Sequence, residues 1–185
     1  MPNENKISEE RIIKLKETIR SINDWPIKGV IFRDLTTLMQ NPKAFGESCD
    51  ILYERYKDKN IDKIVGIDAR GFVFGAVLAY KLGIGFVPVR KKGKLPFKTI
   101  QESYSLEYGE DTLEIHEDAV QKGEKIIIVD DLIATGGTIG ATVKLVQKLG
   151  ADIVECAFIV ELPDLKGRSQ IQGCKVYSIT EFEGE

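Results

Sequence analysis

Histidine is almost missing from this 185-residue chain, which has one, His116. With the three cysteines Cys49, Cys156 and Cys174 lying far apart in sequence and no C-x-x-C pair, no metal-ligand cluster can be assembled from spacing. An odd cysteine count without a framework reads as reduced, mostly packed thiols of a cytosolic protein, not a disulfide scaffold or zinc site. Long apolar runs are lacking, so no segment reaches the length of a membrane span. The polar start Met1-Pro2-Asn3-Glu4-Asn5-Lys6 carries no apolar export core. Excess basic charge is lacking too. A net charge of -3 argues against nonspecific nucleic-acid binding as the main task, because that requires a basic surface to release counterions. Neither a G-x-G-x-x-G dinucleotide turn nor a G-x-x-x-x-G-K-[ST] loop is present. Repeats, low-complexity tracts and linkers are absent. At 43% hydrophobic and 30% charged residues, the chain reads as one ordinary soluble domain over 1–185.

What is present is concentrated in Ile126-Ile127-Ile128-Val129-Asp130-Asp131-Leu132-Ile133-Ala134-Thr135-Gly136-Gly137-Thr138. A short apolar run ends in two adjacent carboxylates, then a small-residue loop, then helical periodicity. Such a loop can wrap a phosphate with backbone N–H groups and hydroxyls. The helix behind it adds unsatisfied donors and the positive end of its dipole. The ionised carboxylates can only accept hydrogen bonds, which suits ribose hydroxyls. Two aspartates side by side on extended chain diverge, so a Mg²⁺ ion would be held mainly by diphosphate and ribose oxygens with waters.

Ser8 caps a predicted helix that opens with Glu9 and Glu10 and places Ile12, Leu15, Ile19 and Ile22 on one face. Residues 25–34 read as a non-helical excursion, and Asn41-Pro42 opens a second helix. Apolar strands follow at 64–67 and 86–89, with a helix over 72–82 between them. The alternation around Tyr104-Leu106-Tyr108 and Leu113-Ile115, split by Gly109-Glu110-Asp111, predicts a hairpin. Segments 153–160 and 175–180 complete the sheet. Strands alternating with helices imply a mainly parallel sheet with helices on both faces, whose ligands bind beyond the carboxyl ends of the strands. Three such ends carry polar chemistry: Asp68-Arg70, Arg90-Lys94 and Asp130-Thr138.

Arg90, Lys91, Lys92, Lys94 and Lys98 are five cations in nine residues. Alone, such a run is a solvated face; at a parallel strand end it is also where a diphosphate would sit. Asp68-Ala69-Arg70-Gly71 reads either as a capped helix start with an exposed Arg or as a second anion loop. Of Glu107 and Tyr108, one faces away from the core. His116, in a polar stretch, is expected to be an exposed loop residue with no general-base role.

The 126–138 string resembles the phosphoribosyl-diphosphate (PRPP) signature of the type I phosphoribosyltransferases. The resemblance covers nearly the whole chain. Residues 29–34, 66–72, 90–96, 104–109 and 161–167 are similar to the adenine-using branch, although Asp68-Ala69-Arg70 stands where some relatives have Asp-Ser-Arg. It implies a type I phosphoribosyltransferase-like α/β fold with an N-terminal helix and base-binding hood at about 1–40 and a flexible hairpin over the site at about 98–116. It implies reversible conversion of adenine and PRPP to AMP and pyrophosphate by a cytoplasmic homodimer with substrate-bound Mg²⁺, without nucleic-acid or membrane partners. By this resemblance Ala134, Thr135, Gly136, Gly137 and Thr138 hold the 5′-phosphate, and Asp130 and Asp131 hold the ribose hydroxyls. Ala69, Arg70, Arg90, Lys91, Lys94 and Tyr108 meet pyrophosphate, and Glu107 is the acid/base. Phe32 and Leu162 sandwich the base, whose edge is read by backbone groups of Ile31 and Arg33. The family often has a non-proline cis peptide just before the Arg70 position. The rivals are a same-fold transferase for hypoxanthine/guanine, xanthine or orotate, and a PRPP-sensing regulator.

Overall fold

The computed structural model describes residues 8–105, 109–171 and 173–184. Helix α1 (Glu9–Glu17) is capped by Ser8, whose side chain accepts from the Arg11 amide. Strands β1 (Arg20–Asn23) and β2 (Ile31–Asp34) form a separate antiparallel pair. Short α2 (Thr36–Gln40) precedes α3 (Pro42–Tyr56), capped by the Asn41 side chain. Then come β3 (Lys63–Ile67), α4 (Arg70–Leu82), β4 (Gly85–Lys91), β5 (Thr99–Ser105) and β6 (Glu110–His116). The chain continues through β7 (Lys125–Ile133), α5 (Gly137–Lys148), β8 (Asp152–Glu161), two 3-10 turns at Pro163–Leu165 and Gly167–Gln170, and β9 (Val176–Glu181).

The main sheet has the order β5-β6-β4-β3-β7-β8-β9. Its β4-β3-β7-β8-β9 part is parallel, and the β5–β6 hairpin joins antiparallel. The sheet is covered on both faces, so its middle strands are continuously apolar. Alternate residues of β3 and β7 serve different cores. Ile64, Ile127 and Val129 meet Leu52, Tyr56, Phe74 and Leu78 of α3 and α4. Val65, Ile126 and Ile128 meet Ile139, Val143 and Val146 of α5.

Three local expectations are corrected. Helix α1 stops at Glu17, where the Thr18 hydroxyl and amide both turn back onto the Leu15 carbonyl. Ile19 therefore lies beyond the helix, and Ile22 pairs with Phe32 in the small sheet. Glu110 and Asp111 are strand residues opposite Ser105 and Tyr104, not the hairpin turn. The ladder with β5 runs through both, and the Asp111 carboxylate meets Lys91 at 2.8 Å. His116 is the last residue of β6, opposite Thr99, with Nε2 against the Pro96 carbonyl oxygen. Cys156 and Cys174, distant in sequence, are thiol-to-thiol neighbours, a contact that lowers Cys174 to about 7.

One buried charge ties α3 to β8. Glu155, 3% exposed, accepts from Arg55 Nε at 2.6 Å, Arg55 Nη2 at 2.8 Å and the Tyr56 hydroxyl at 2.6 Å. Burial opposes ionisation of Glu155, but the bonds from Arg55 and Tyr56 outweigh it and its pKa is lowered. The stability this contributes is full above the ordinary glutamate range and is lost as pH falls through the lowered value. Glu155→Ala strands a buried hydroxyl and a guanidinium, and is expected to cost about 3–5 kcal/mol in urea unfolding. A loss under 1 kcal/mol would refute that account.

Candidate active site

Parallel topology brings the carboxyl ends of β3, β4 and β7 to one edge, and two helices begin there. Neither α4, starting after Ala69, nor α5, starting after Gly136, has a side-chain cap hydrogen bond, whereas α1 and α3 do. Their first amides are thus left for something other than the protein's own side chains. In front of α5 is a cavity of about 110 Å³ lined by Asp130 and by residues 132–139. It is several times the share of one liquid water, which is about 30 Å³, and its lining includes the Asp130 carboxylate and the Thr135 and Thr138 side chains.

The loop is supported from behind by another backbone. A Cβ on Gly136 would overlap the Gly167 carbonyl oxygen, and a Cβ on Gly167 would overlap that of Ala134. Only a glycine at each place lets the loop seat on the 3-10 turn. From the other side, the Thr138 hydroxyl donates to the Tyr104 hydroxyl at 3.4 Å.

At the end of β7, Asp131 is 5% exposed and its Oδ2 lies 2.6 Å from Arg70 Nε. The contact is an ion pair without hydrogen-bond angles, so Oδ2 is a buried acceptor with no hydrogen bond among the described residues. Asp130 Oδ1 accepts from the Asp131 amide at 2.9 Å. Desolvation first, and then the neighbouring Asp131 charge, push the Asp130 pKa well above the usual carboxylate value. Burial also raises Asp131, against the opposing charge of Arg70. Helix α4 comes this close because Gly71 has no side chain: a Cβ there would lie 2.8 Å from Asp130 Oδ1.

The basic run is only partly free. Arg90 Nε donates to Asp68 Oδ2 at 2.8 Å and Nη1 to the Lys94 carbonyl at 3.2 Å. Lys91 pairs with Asp111, which raises its pKa, and Lys98 lies 3.8 Å from Glu117. Lys94 is exposed, and its amide donates to buried Glu114. A cis peptide joins Asp68 to Ala69. Arg70 thus sits between the Asp130–Asp131 end of β7 and the Asp68–Arg90 pair.

The small sheet supplies an aromatic ledge. Phe32 meets Trp25 edge-on at 4.4 Å between centroids, and the Arg70 guanidinium lies 5.9 Å from the Phe32 ring. Ile31 is half-buried beside it. Arg33 is 9% exposed, and its side chain turns to the Ser21 hydroxyl at 2.6 Å and the Glu183 carbonyl at 3.1 Å. The Leu162 amide donates to the Ile133 carbonyl at 3.0 Å, which sets it beside the start of the 134–138 loop. Glu107 and Tyr108 lie outside the described residues. Gly71, Tyr104 and the facing role of Gly167 escaped the sequence reading. A glycine at a helix start is the only local trace of the first, and the others depend on contacts across the fold.

The chain matches the phosphoribosyl transferase domain family over residues 34–183. It is 64% identical over 171 residues to adenine phosphoribosyltransferase of Desulfosudis oleivorans, covering 92% of this chain and 99% of the relative. Adenine phosphoribosyltransferase from Thermoanaerobacter pseudethanolicus superposes with a TM-score of 0.88 at 48% identity, covering 92% and 99% of the two chains. The Saccharomyces cerevisiae enzyme, solved with adenine and an imino-altritol bisphosphate, gives 0.87 at 41% identity over 92% and 98%. With more than half its length inside the family model and nearly all of it aligned to such relatives, the chain belongs to the phosphoribosyltransferase family and, within it, to the adenine phosphoribosyltransferases.

Proposed function

We propose that this protein salvages adenine, joining it to PRPP to give AMP and pyrophosphate. The observation that carries the reading is the Asp130–Asp131 pair of β7 beside an uncapped helix start and a phosphate-sized cavity. Ribose hydroxyls donate to this carboxylate pair, and a 5′-phosphate accepts from the amides and hydroxyls of 134–138.

As the bond from C1 of ribose to pyrophosphate lengthens and adenine N9 approaches, positive charge grows on the sugar and negative charge on the leaving group. Asp130 and Asp131 hold the hydroxyls, while Arg70, the Ala69 turn, Arg90, Lys91, Lys94 and Tyr108 offset the pyrophosphate charge. Arg70 is already oriented by Asp131, so little reorganisation is needed. Phe32 and Leu162 flank the base, the backbone of Ile31 and Arg33 reads its edge, and Glu107 moves a proton at N7. The β5–β6 hairpin excludes water over the site. Mg²⁺ fits this donor set only as an ion held mostly by substrate oxygens and water, with Asp130 and Asp131 beside it, and it would neutralise diphosphate charge. The enzyme works as a cytoplasmic homodimer; sedimentation at the monomer mass would refute the dimer.

The deciding experiment supplies PRPP with adenine, hypoxanthine, guanine, xanthine or orotate. Nucleotide formation with adenine alone is expected, and turnover of another base without adenine would overturn the proposal. In single-turnover kinetics Glu107→Gln is expected to slow the chemical step about 10²–10⁴-fold with substrate capture little changed. An unchanged step would remove Glu107 from its role.

A further inference from the structure

Arg33 is a buried guanidinium that no carboxylate pairs with among the described residues. Its neighbours are the Ser21 hydroxyl, the Glu183 carbonyl oxygen and the face of the Phe182 ring, 4.5 Å from the guanidinium carbon. A buried cation left with neutral partners depends on all of them. Two of the three come from the short segment after β9.

That segment has contacts on both sides of the base ledge. Phe182 is 8% exposed, its amide donates to the Glu161 carbonyl at 3.0 Å, and Lys16 of α1 lies over its ring at 4.7 Å. The Gly184 amide donates to Asp164 Oδ2 at 2.8 Å, two residues after Leu162. A Cβ on Gly184 would stand 4.0 Å from Ile31 Cδ1. Three consecutive residues thus contact Arg33, Glu161 and Asp164, and the last of them lies beside Ile31.

We infer that Phe182–Gly184 form a clasp that positions the base subsite: they fix the backbone of residues 31–33 against the turn after Leu162, setting the gap into which a planar base slides. This rests on the adenine reading given above. The segment need not touch the base; it acts through Arg33 and Asp164. Neither residues 134–138 nor Arg70 is among its direct partners, so its effect is expected mainly on the base.

Steady-state kinetics in each substrate test the clasp. Phe182→Ala and Asp164→Ala are expected to raise KM for adenine about tenfold, the worth of one lost charge-assisted contact. KM for PRPP should stay within about twofold. Phe182→Tyr keeps the ring and Asp164→Asn keeps an acceptor oxygen, so both should return adenine KM to near the parent value. Asp164 is exposed, so its variants report even if Phe182→Ala fails to fold. Equal rises in both KM values, or an unchanged adenine KM in Asp164→Ala, would overturn the clasp. A parent enzyme that uses a different purine would sink the adenine reading alone, and the same KM comparison with that base would then decide the clasp.

Discussion

Replacing Asp130 with Asn is expected to give a protein that melts at a higher temperature than the parent and is nearly inactive. Burial and the adjacent Asp131 charge hold the Asp130 pKa well above its unfolded value. For a carboxyl raised in this way, ionising at neutral pH costs native stability. The cost grows as pH climbs from the ordinary carboxylate range towards the raised value, the opposite sign to Glu155. Asparagine removes the charge, and its carbonyl oxygen can still accept from the Asp131 amide as Oδ1 does now. Each kcal/mol recovered raises the melting temperature by roughly 2–4 °C in a chain of this size. Catalysis is expected to move the other way: if Asp130 holds ribose hydroxyls as proposed, losing those charge-assisted bonds, at about 1.5–3 kcal/mol each, lowers kcat/KM by about 10²–10³-fold. The stability gain should shrink when melting is repeated near pH 4. A destabilised variant, or one with parental turnover, would contradict the assignment.

The second large effect is expected at a residue outside the loop. Gly167→Ala drives a methyl into the Ala134 carbonyl and to 2.8 Å from Ile133 Cγ1. Both obstacles are firmly held, so the phosphate loop must shift away from the 3-10 turn. Overpacking of this sort costs about 1–3 kcal/mol of stability. A loop displaced by about 1 Å is expected to cost about 10²-fold in kcat/KM for PRPP. Thermal melting and PRPP titration read the two effects separately. Parental values in both would show that the turn gives way freely and that the facing glycines are incidental.

Much of this site was legible because it is local. The carboxylates, the glycine pair and the threonines stand within one strand–loop–helix segment, and parallel topology dictates that Asp68 and Arg90 arrive at the same edge. The alternation of Ile126–Val129 between two cores likewise follows from burial on both faces. What escaped depends on pairings between distant segments. Ile22 has a helical spacing from Leu15, yet the ladder to Phe32 claims it. Nothing near Gly167 announces that it faces Ala134. The five cations read as one patch, but Asp68 and Asp111, from other strands, occupy two of them. Arg33 is read in the sequence for its backbone alone, and in the fold its side chain turns to the segment after β9.

The hairpin is attached to the sheet unevenly. Strands β5 and β6 share seven register pairs with each other, but β6 meets β4 through two, Arg90 with Glu114 and Lys91 with Leu113. Among its other attachments, Glu102 reaches Lys144 and Lys148 on α5 at 3.1 and 2.6 Å, Asp111 reaches Lys91, and Ile100, Leu113 and Ile115 pack into the core. Ion pairs with such exposed lysines are weakened by added salt, whereas the seven-pair ladder is not. The outer part of the ladder, residues 101–105 and 110–112, is therefore held largely by ion pairs, while Leu113 and Ile115 anchor its base in the core. Added salt is expected to loosen that outer part, so backbone amides of residues 101–105 and 110–112 would exchange with deuterium faster in salt while those inside β7 keep their protection.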